Sequence, residues 1–499
     1  MKVFALNRLL VSSVWLATVL ATAGCSLAPT YLKPNVSMPP AYKEEKTQEP
    51  RTALSAAEAG SWKTAQPSEQ IARGEWWTVF GDQPLNDLQQ QARDANQNLV
   101  AAAARLKEAR ALNQAERSQL FPTVDAGFGP TRQRVSPASQ SESDSGKGSS
   151  QTLWRAQTSA SYEVDMFGRV ASTVDAADAE AQRSEALYRS VLLALQADVA
   201  QNYFTLRQLD AEAEVFTSTV ELREQALKLV RQRYSLGDIS DLDVARAEAE
   251  LATARSDAMT VQRLRATSEH SLAVLLGKSP AEFALAANPL NPVTLHIPAG
   301  LPSSLLERRP DIAAAEREMA AANARIGVAK AAFFPSLTLT GAAGFESGSL
   351  SNLFHWSSRT FLLGPLAGTA LNLPIFDGGL RKGNLAKANA EYEEDVANYR
   401  QQVLVAFREV EDNLADLRVL EGQTQVQAQA VDASVRAARL ARAQYSEGDV
   451  IYLSVIDAER SALQSRRAAV QLQGAQAVAT VNLIRALGGG WGNAGEKSI

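Results

Sequence analysis

YSLGDISDLD (Tyr234–Asp243) and YSEGDVIYLS (Tyr445–Ser454) are one turn written twice, sharing Tyr-Ser-x-Gly-Asp at an offset of 211 residues. The sequence around each copy has a single character. Val170 to Leu236 contains no Gly or Pro, and neither does the return segment Asp238 to Leu276. Asn384 to Glu447 is interrupted only by Gly422, and Asp449 to Leu487 only by Gly474. Such runs predict very long helices; at 1.5 Å per residue the first would extend about 100 Å. Ordinary helices average about 12 residues, so these lengths imply a coiled coil or a helical barrel. Each repeated turn is where a long helix reverses. Gly237 and Gly448 supply the left-handed residue that ends a helix. Ser240 and Asp243 have the spacing of a weak capping box for the return helix.

The repeat extends beyond the turn. At the same offset Ala186-Leu187-Tyr188-Arg189 matches Ala397-Asn398-Tyr399-Arg400, and Leu276-Gly277 matches Leu487-Gly488. Phe121-Pro122 matches Phe334-Pro335 at 213 residues, and Phe167-Gly168 matches Phe376-Asp377 at 209. Two halves of about 200 residues share one plan, a duplicated module rather than a solenoid. Each module opens with a shorter helix, Asn86–Gln119 or Asp311–Phe334, closed by Phe-Pro. The period then changes to two. Val124, Ala126 and Phe128 alternate with Thr123, Asp125 and Gly127; Trp154, Ala156, Ala160, Tyr162 and Val164 alternate with Arg155, Gln157, Ser159, Ser161 and Glu163. A polar loop, residues 136–150, separates these strands. In the second module Leu337, Leu339, Ala343 and Phe345 alternate with small or polar residues, and a less regular strand, Thr360–Leu373, carries Pro365.

The N-terminus reads as an export signal. Met1–Arg8 is basic, and Leu9–Ala23 is an apolar run too short to span a bilayer comfortably. It ends at Ala23-Gly24-Cys25-Ser26, small residues before the lone cysteine of the chain, as lipoprotein processing requires. The alternative is an ordinary signal peptide cleaved near Ala23, leaving a free thiol. A free thiol is a liability in an oxidising compartment, which favours Cys25 as a lipid attachment site. Thr22 stands where Leu is commonest, and Ser26 after the cysteine suits sorting to the outer membrane.

Four amphipathic strands cannot close a membrane barrel, and an open edge does not exist in lipid. A chain with two such hairpins and a lipid signal must borrow strands from copies of itself: two copies give eight strands, three give twelve. The competing reading is a soluble sheet; Phe128, Trp154, Tyr162 and Phe345 on the apolar faces favour lipid. With net charge −5 and no basic stripe, nothing suggests nucleic-acid binding. Aromatics at 6% and abundant alanine fit close-packed long helices better than a sandwich.

The chain resembles the TolC-type outer-membrane efflux channels, specifically the lipoprotein branch that works with resistance–nodulation–division pumps. The matching residues include Trp76-Trp77, Phe80, Asp82, Leu85 and Leu88; Asn98-Leu99; and Ala104-Arg105-Leu106. Leu305-Leu306, Arg308-Arg309-Pro310-Asp311-Ile312, Leu373-Pro374-Ile375-Phe376-Asp377-Gly378-Gly379 and the two turns complete the set. Cys25 with Pro29, Tyr31 and Pro34 resembles the family's lipidated start. The resemblance implies a mainly α protein with a β-barrel: a homotrimer with a twelve-stranded barrel in the outer membrane of a Gram-negative bacterium and a helical barrel in the periplasm. It implies a periplasmic adaptor and an inner-membrane transporter as partners. The expected division is a signal peptide (1–24), a lipidated segment and part of an equatorial belt (25–85), the first repeat (86–278), a belt linker (279–310), the second repeat (311–488) and a tail (489–499). Within it, Trp76-Trp77 reads as belt packing and Arg308–Asp311 as a helix start.

By position, the resemblance places the periplasmic gate at Asp457 and Leu453. Ser454 and Val450 stand where some members have a second acid and an arginine, so this gate relies more on packing. Three copies of Asp457 about one axis would bring three carboxylates together; the plain alternative is a solvated acid on a helix. The turn residues Tyr234, Ser235, Gly237, Asp238, Tyr445, Ser446, Gly448 and Asp449 are the expected adaptor-docking tips. No enzyme is legible. His270, His296 and His355 lack metal-ligand spacing, and Gly277-Lys278-Ser279 lacks the leading glycine of a phosphate loop, since Leu272 occupies that position. No cofactor is expected. The expected function is the outer-membrane conduit of a tripartite pump for small compounds. The alternatives are a protein-secretion channel, which usually lacks the lipid, and an adaptor lipoprotein, which carries one hairpin rather than two.

Overall fold

The computed structural model describes residues 27–35, 39–44, 75–134, 150–291, 305–363 and 371–489. The signal segment, Cys25, most of the 136–150 loop, residues 292–304 of the linker and the tail beyond Gly489 lie outside the described residues. Apart from single turns such as Leu305–Arg308, the helices are α1 (Gln83–Ala95), α2 (Gln97–Arg117), α3 (Arg169–Ser235), α4 (Asp241–Leu275), α5 (Pro310–Ala331), α6 (Leu380–Glu447) and α7 (Tyr452–Ala486). The strands are β1 (Thr123–Arg134), β2 (Ser150–Val164), β3 (Ser336–Ser347), β4 (Arg359–Leu363) and β5 (Leu371–Asn372). The four long helices run 67, 35, 68 and 35 residues, pairs that match between the repeats to within one residue. Gly422 and Gly474 do not interrupt them. Among the described residues no helix is long and apolar enough to cross a membrane.

The chain forms two compact units, and neither is one of the repeats. One draws on Met1–Pro34, Leu106–Ser184 and Ala315–Tyr399; the other on Asn35–Arg105, Glu185–Ala314 and Arg400–Ile499. Each therefore combines segments of both repeats.

The first unit holds the sheet. Its order is β1-β2-β3-β4, with β5 also on β3, and every pairing is antiparallel. The register sorts the side chains as the alternation requires. Phe128 lies opposite Ala156 and Ala156 opposite Phe345; Tyr162 lies opposite Leu339. The other face carries Arg155 opposite Glu346, joined by an ion pair of 2.6 Å. The apolar face is open: Val124 and Phe128 are about two-thirds exposed. β1 on one side, and β4 and β5 on the other, each have one edge with no strand beside it among the described residues. The expected strand Thr360–Leu373 is described only at its two ends.

The corners from strand to helix are built by short acids and glycines. Asp377 accepts from the N–H groups of Gly379 (3.0 Å) and Arg381 (3.1 Å), capping α6. Gly378 and Gly379 have φ of 64° and 96°, which a residue with a Cβ rarely adopts. At the earlier corner Asp165 caps α3 through the Ala171 N–H at 2.7 Å. There Phe167, just after β2, stacks on Phe334, just before β3, with ring centroids 4.8 Å apart and planes at 25°. The N-terminal segment is pinned against α5. Tyr31 donates to Glu316 Oε1 at 2.8 Å and Asn323 to the Pro29 carbonyl at 2.8 Å. Ala28 and Ser172 come so close to Gly327 that a methyl group there would meet both.

The second unit holds the main core. Trp76 and Trp77 pack with Leu85, Leu88, Tyr203, Phe204, Leu272, Leu276, Val481 and Ile484. Phe283, Leu285 and Leu290 of the mid-chain linker close over them. The Trp76 indole N–H donates to Gln196 at 3.1 Å, so its polar handle is satisfied inside. Each large side chain buried this way contributes about 1.5–3 kcal/mol.

The helix expected from Asn86 to Gln119 is two helices broken at Asn96. Asn96 is buried and extended (ψ 123°), and its side chain serves both sides of the break. It donates to the Leu275 carbonyl at 2.9 Å and accepts from the Leu99 N–H at 3.0 Å. An Asn that caps a new helix this well outcompetes helix continuation. The helix start at Arg309-Pro310-Asp311 is also a clasp. The Arg309 guanidinium, 6% exposed, donates to both oxygens of Asp311, to Glu409 at 2.7 Å and to the Ala486 carbonyl at 3.0 Å. It thereby ties the start of α5 to α6 and to the last turn of α7.

Candidate functional site

The expected tip residues lie in the second unit, where α3 meets α4 and α6 meets α7. Both turns close with the same hydrogen bonds. Asp238 N–H reaches Arg233 carbonyl (3.0 Å) and Gly237 N–H reaches Tyr234 carbonyl (2.9 Å); Asp449 reaches Gln444 (2.9 Å) and Gly448 reaches Tyr445 (3.1 Å). This is the Schellman pattern, with Gly237 and Gly448 at φ 80° and 89°. Ser235 and Ser446 donate back to the carbonyls of Gln232 and Ala443, each at 2.7 Å, and both remain exposed, as do Asp238 and Asp449. The expected capping box does not form. Ser240 Oγ turns to the Asp243 carboxylate at 3.5 Å rather than to a backbone N–H.

The repeat conceals a difference. Tyr234 is 47% exposed, whereas Tyr445 is 6% exposed. Tyr445 packs on Tyr452, with centroids 5.3 Å apart, and under the Arg233 guanidinium at 4.9 Å. Arg233 also donates to the Tyr445 carbonyl at 2.9 Å, so the first tip holds the second. Burial pushes the Tyr445 phenol up, and Tyr452, also by burial, to about 12; both stay neutral. Leu236, at 70% exposure, and Tyr234 make the first tip the more apolar surface.

Helix α7 presents two faces. Tyr452, Val455 and Ile456 are buried against Leu227, Val230, Val244, Ala247 and Leu251. Leu453, Ser454 and Asp457 are exposed on the other side. Leu453 and Asp457 are four residues apart, hence neighbours on one helix face. That face is free to meet another copy or solvent. Beneath it lies a charged layer that the sequence did not reveal. Glu250, 7% exposed, pairs with buried Arg223 of α3 and with Arg460 of α7. Arg442 of α6 reaches Glu459 at 3.3 Å. Burial pushes the Glu459 carboxyl up, against Arg223 and Arg442. Arg460 sits three residues past Asp457, so the acid at the expected gate has a tethered cation beside it. The signal available beforehand was charge at positions of α3 and α4 that the helix period assigns to a buried face. Cys25 lies outside the described residues. Among the described residues no cluster of His, Cys, Asp or Glu is placed to hold a metal ion.

Among the described residues the chain offers a pinned helix end, an exposed Leu–Asp face and a sheet whose two outer strands have no neighbouring strand. Comparison with known proteins shows the family. The toluene efflux pump outer membrane protein TtgF of Pseudomonas putida is 36% identical over 97% of this chain and 98% of its own. The cation efflux system protein CusC of Escherichia coli is 32% identical, over 95% and 97%. The solved outer-membrane channel OprN superposes with a TM-score of 0.82 at 29% identity, covering 94% of this chain and all of its own. The model of the family described as outer membrane efflux protein matches twice, at residues 88–278 and 301–489, once in each repeat, and the chain belongs to that family.

Proposed function

We propose that this outer-membrane efflux protein is a passive conduit built from three copies of the chain. Each copy contributes four strands to a twelve-stranded barrel and its long helices to a periplasmic tunnel. The observation that carries this reading is the sheet. Its apolar face is exposed, and among the described residues its two outer strands have no neighbouring strand, an open edge that lipid does not tolerate. Only further copies of the chain supply strands of the right length and alternation. Leu453 and Asp457 of the copies converge at the periplasmic end as the gate. The turns at Tyr234–Asp238 and Tyr445–Asp449 receive a periplasmic adaptor, and a resistance–nodulation–division transporter of the inner membrane supplies the energy. Cys25, acylated after signal removal, anchors each copy beside the barrel; mass spectrometry of the mature N-terminal peptide should find the lipid there, and an unmodified thiol would refute it.

The cargo is proposed to be small organic compounds, in keeping with the toluene named for one relative and with the sparse Met and His of this chain. A cation cargo is the second reading, because CusC is named for cation efflux. A deletion strain complemented with the wild-type gene decides between them. Restored tolerance to solvents and antibiotics is expected. Restored tolerance to metal salts alone would establish the second reading, and no change in either would refute export of both kinds.

A further inference from the structure

The sheet contains a contact that its own repeat leaves unfinished. At the junction of the two modules within one chain, Phe167 follows β2, Phe334 precedes β3, and the two rings stack. The repeat provides a second such pair. Phe376 matches Phe167 at an offset of 209 residues, and Phe121 matches Phe334 at 213. Phe376 follows β5 as Phe167 follows β2, and Phe121 precedes β1 as Phe334 precedes β3. Yet Phe376 is 90% exposed and Phe121 is 68% exposed. Their neighbours are apolar and open as well: Ile375 is 90% exposed, Leu373 52% and Leu120 43%.

Within one chain these two rings cannot meet. β1 and β4 are separated by β2 and β3, and three strand spacings amount to about 14 Å. Between copies the sheet order allows them to meet. All pairings are antiparallel, so the start of β1 and the end of β5 lie at the same end of the sheet, as do Phe167 and Phe334. A ring that places β1 of one copy along β4 and β5 of the next brings Phe121 and Phe376 to that same end. We propose that Phe376 stacks on Phe121 of the adjacent copy, as Phe167 stacks on Phe334 within the chain, so that each copy is locked to the next by the same aromatic device that joins its two modules. This rests on the ring of copies proposed above. The occupant of the Ile375-Phe376 surface is therefore a second copy of this chain rather than lipid or an adaptor.

The test is site-directed cross-linking in whole outer membranes with a short bis-maleimide. The variant Phe121→Cys/Phe376→Cys is expected to give a ladder of linked dimers and trimers on denaturing gels. Each single variant is expected to give monomer only. Phe167→Cys/Phe334→Cys is the internal control, linked within the chain and running as monomer. Because removing both rings can weaken assembly, Leu120→Cys/Ile375→Cys probes the same contact with both phenylalanines intact and should give the same ladder. Native mass spectrometry of each sample distinguishes the two levels of the argument. Trimers without a ladder in either pair overturn the aromatic lock and leave the ring standing. Monomers in the wild type overturn both.

Discussion

Replacing Arg309 by alanine should loosen the second unit at the point where α5, α6 and α7 are tied. The guanidinium is 6% exposed and is bonded to Asp311, Glu409 and the Ala486 carbonyl. Removing one member of a buried pair costs about 3–5 kcal/mol, because the partner is left buried and uncompensated. Here Asp311 is 27% exposed and Glu409 40% exposed, so part of that penalty is relieved by water. About 3 kcal/mol is therefore expected, which is about a 150-fold increase in local opening. Hydrogen exchange read by mass spectrometry on peptides covering residues 309–318 and 480–487 should show that acceleration, with the tip peptides unchanged. Arg309→Lys should recover only part, since an ammonium cannot serve the forked geometry. The effect has a pH signature. Burial alone would raise the Asp311 carboxyl, but the Arg309 hydrogen bonds and charge, with those of Ile312 and Gln402, hold it below the ordinary carboxylate range. A depressed carboxylate contributes stability that is complete above its unfolded pKa, about 3.9, and is lost as pH falls through the folded value. The gap between wild type and Arg309→Ala should thus narrow below about pH 4. Exchange within about twofold of wild type at neutral pH would refute the reasoning.

Asp457→Ala should raise the conductance of the channel in planar bilayers and weaken block by divalent cations; identical currents and block would return Asp457 to a solvated helix residue and leave the constriction to Leu453. Asp395 of α6 behaves oppositely to Asp311: burial, Glu318 and Glu394 push its carboxyl up to about 6, against Arg325 and Arg183. A raised carboxylate pKa means that stability falls as pH rises through about 6, so Asp395→Asn should raise the thermal midpoint at pH 7.5 and lose that advantage near pH 4; equal gains at both values would exclude this origin. Ser235→Trp and Ser446→Trp, at exposed turn positions, should reduce efflux at unchanged outer-membrane level if the tips dock an adaptor, and unchanged drug tolerance in both would remove the tips from that role.

The sequence made the elements and their duplication visible because their signals are periodic and long. Runs of dozens of residues without Gly or Pro leave helix as the only choice, and the alternation through Trp154, Ala156, Ala160 and Tyr162 survives intact in the register of β2. What escaped was decided by single side chains acting across the chain. Asn96 breaks a helix that propensity would continue, because its partner Leu275 is 179 residues away. Tyr234 and Tyr445 are the same letter in the same motif, yet only Tyr445 has Tyr452 and Arg233 to cover it. Glu250 looks like one more surface acid until Arg223 and Arg460 are placed around it. The gate proposed at Leu453 and Asp457 rests on resemblance; composition and spacing alone leave Asp457 among many helix-surface acids.

Native mass spectrometry of the protein extracted in mild detergent tests the central claim most directly, because the proposed ring of copies rests on an exposed apolar sheet face whose outer strands have no neighbour among the described residues. Three chains per particle are expected, each carrying acyl chains on Cys25 and none carrying a nucleotide or metal cofactor. A folded monomer that inserts into bilayers and conducts would contradict the account.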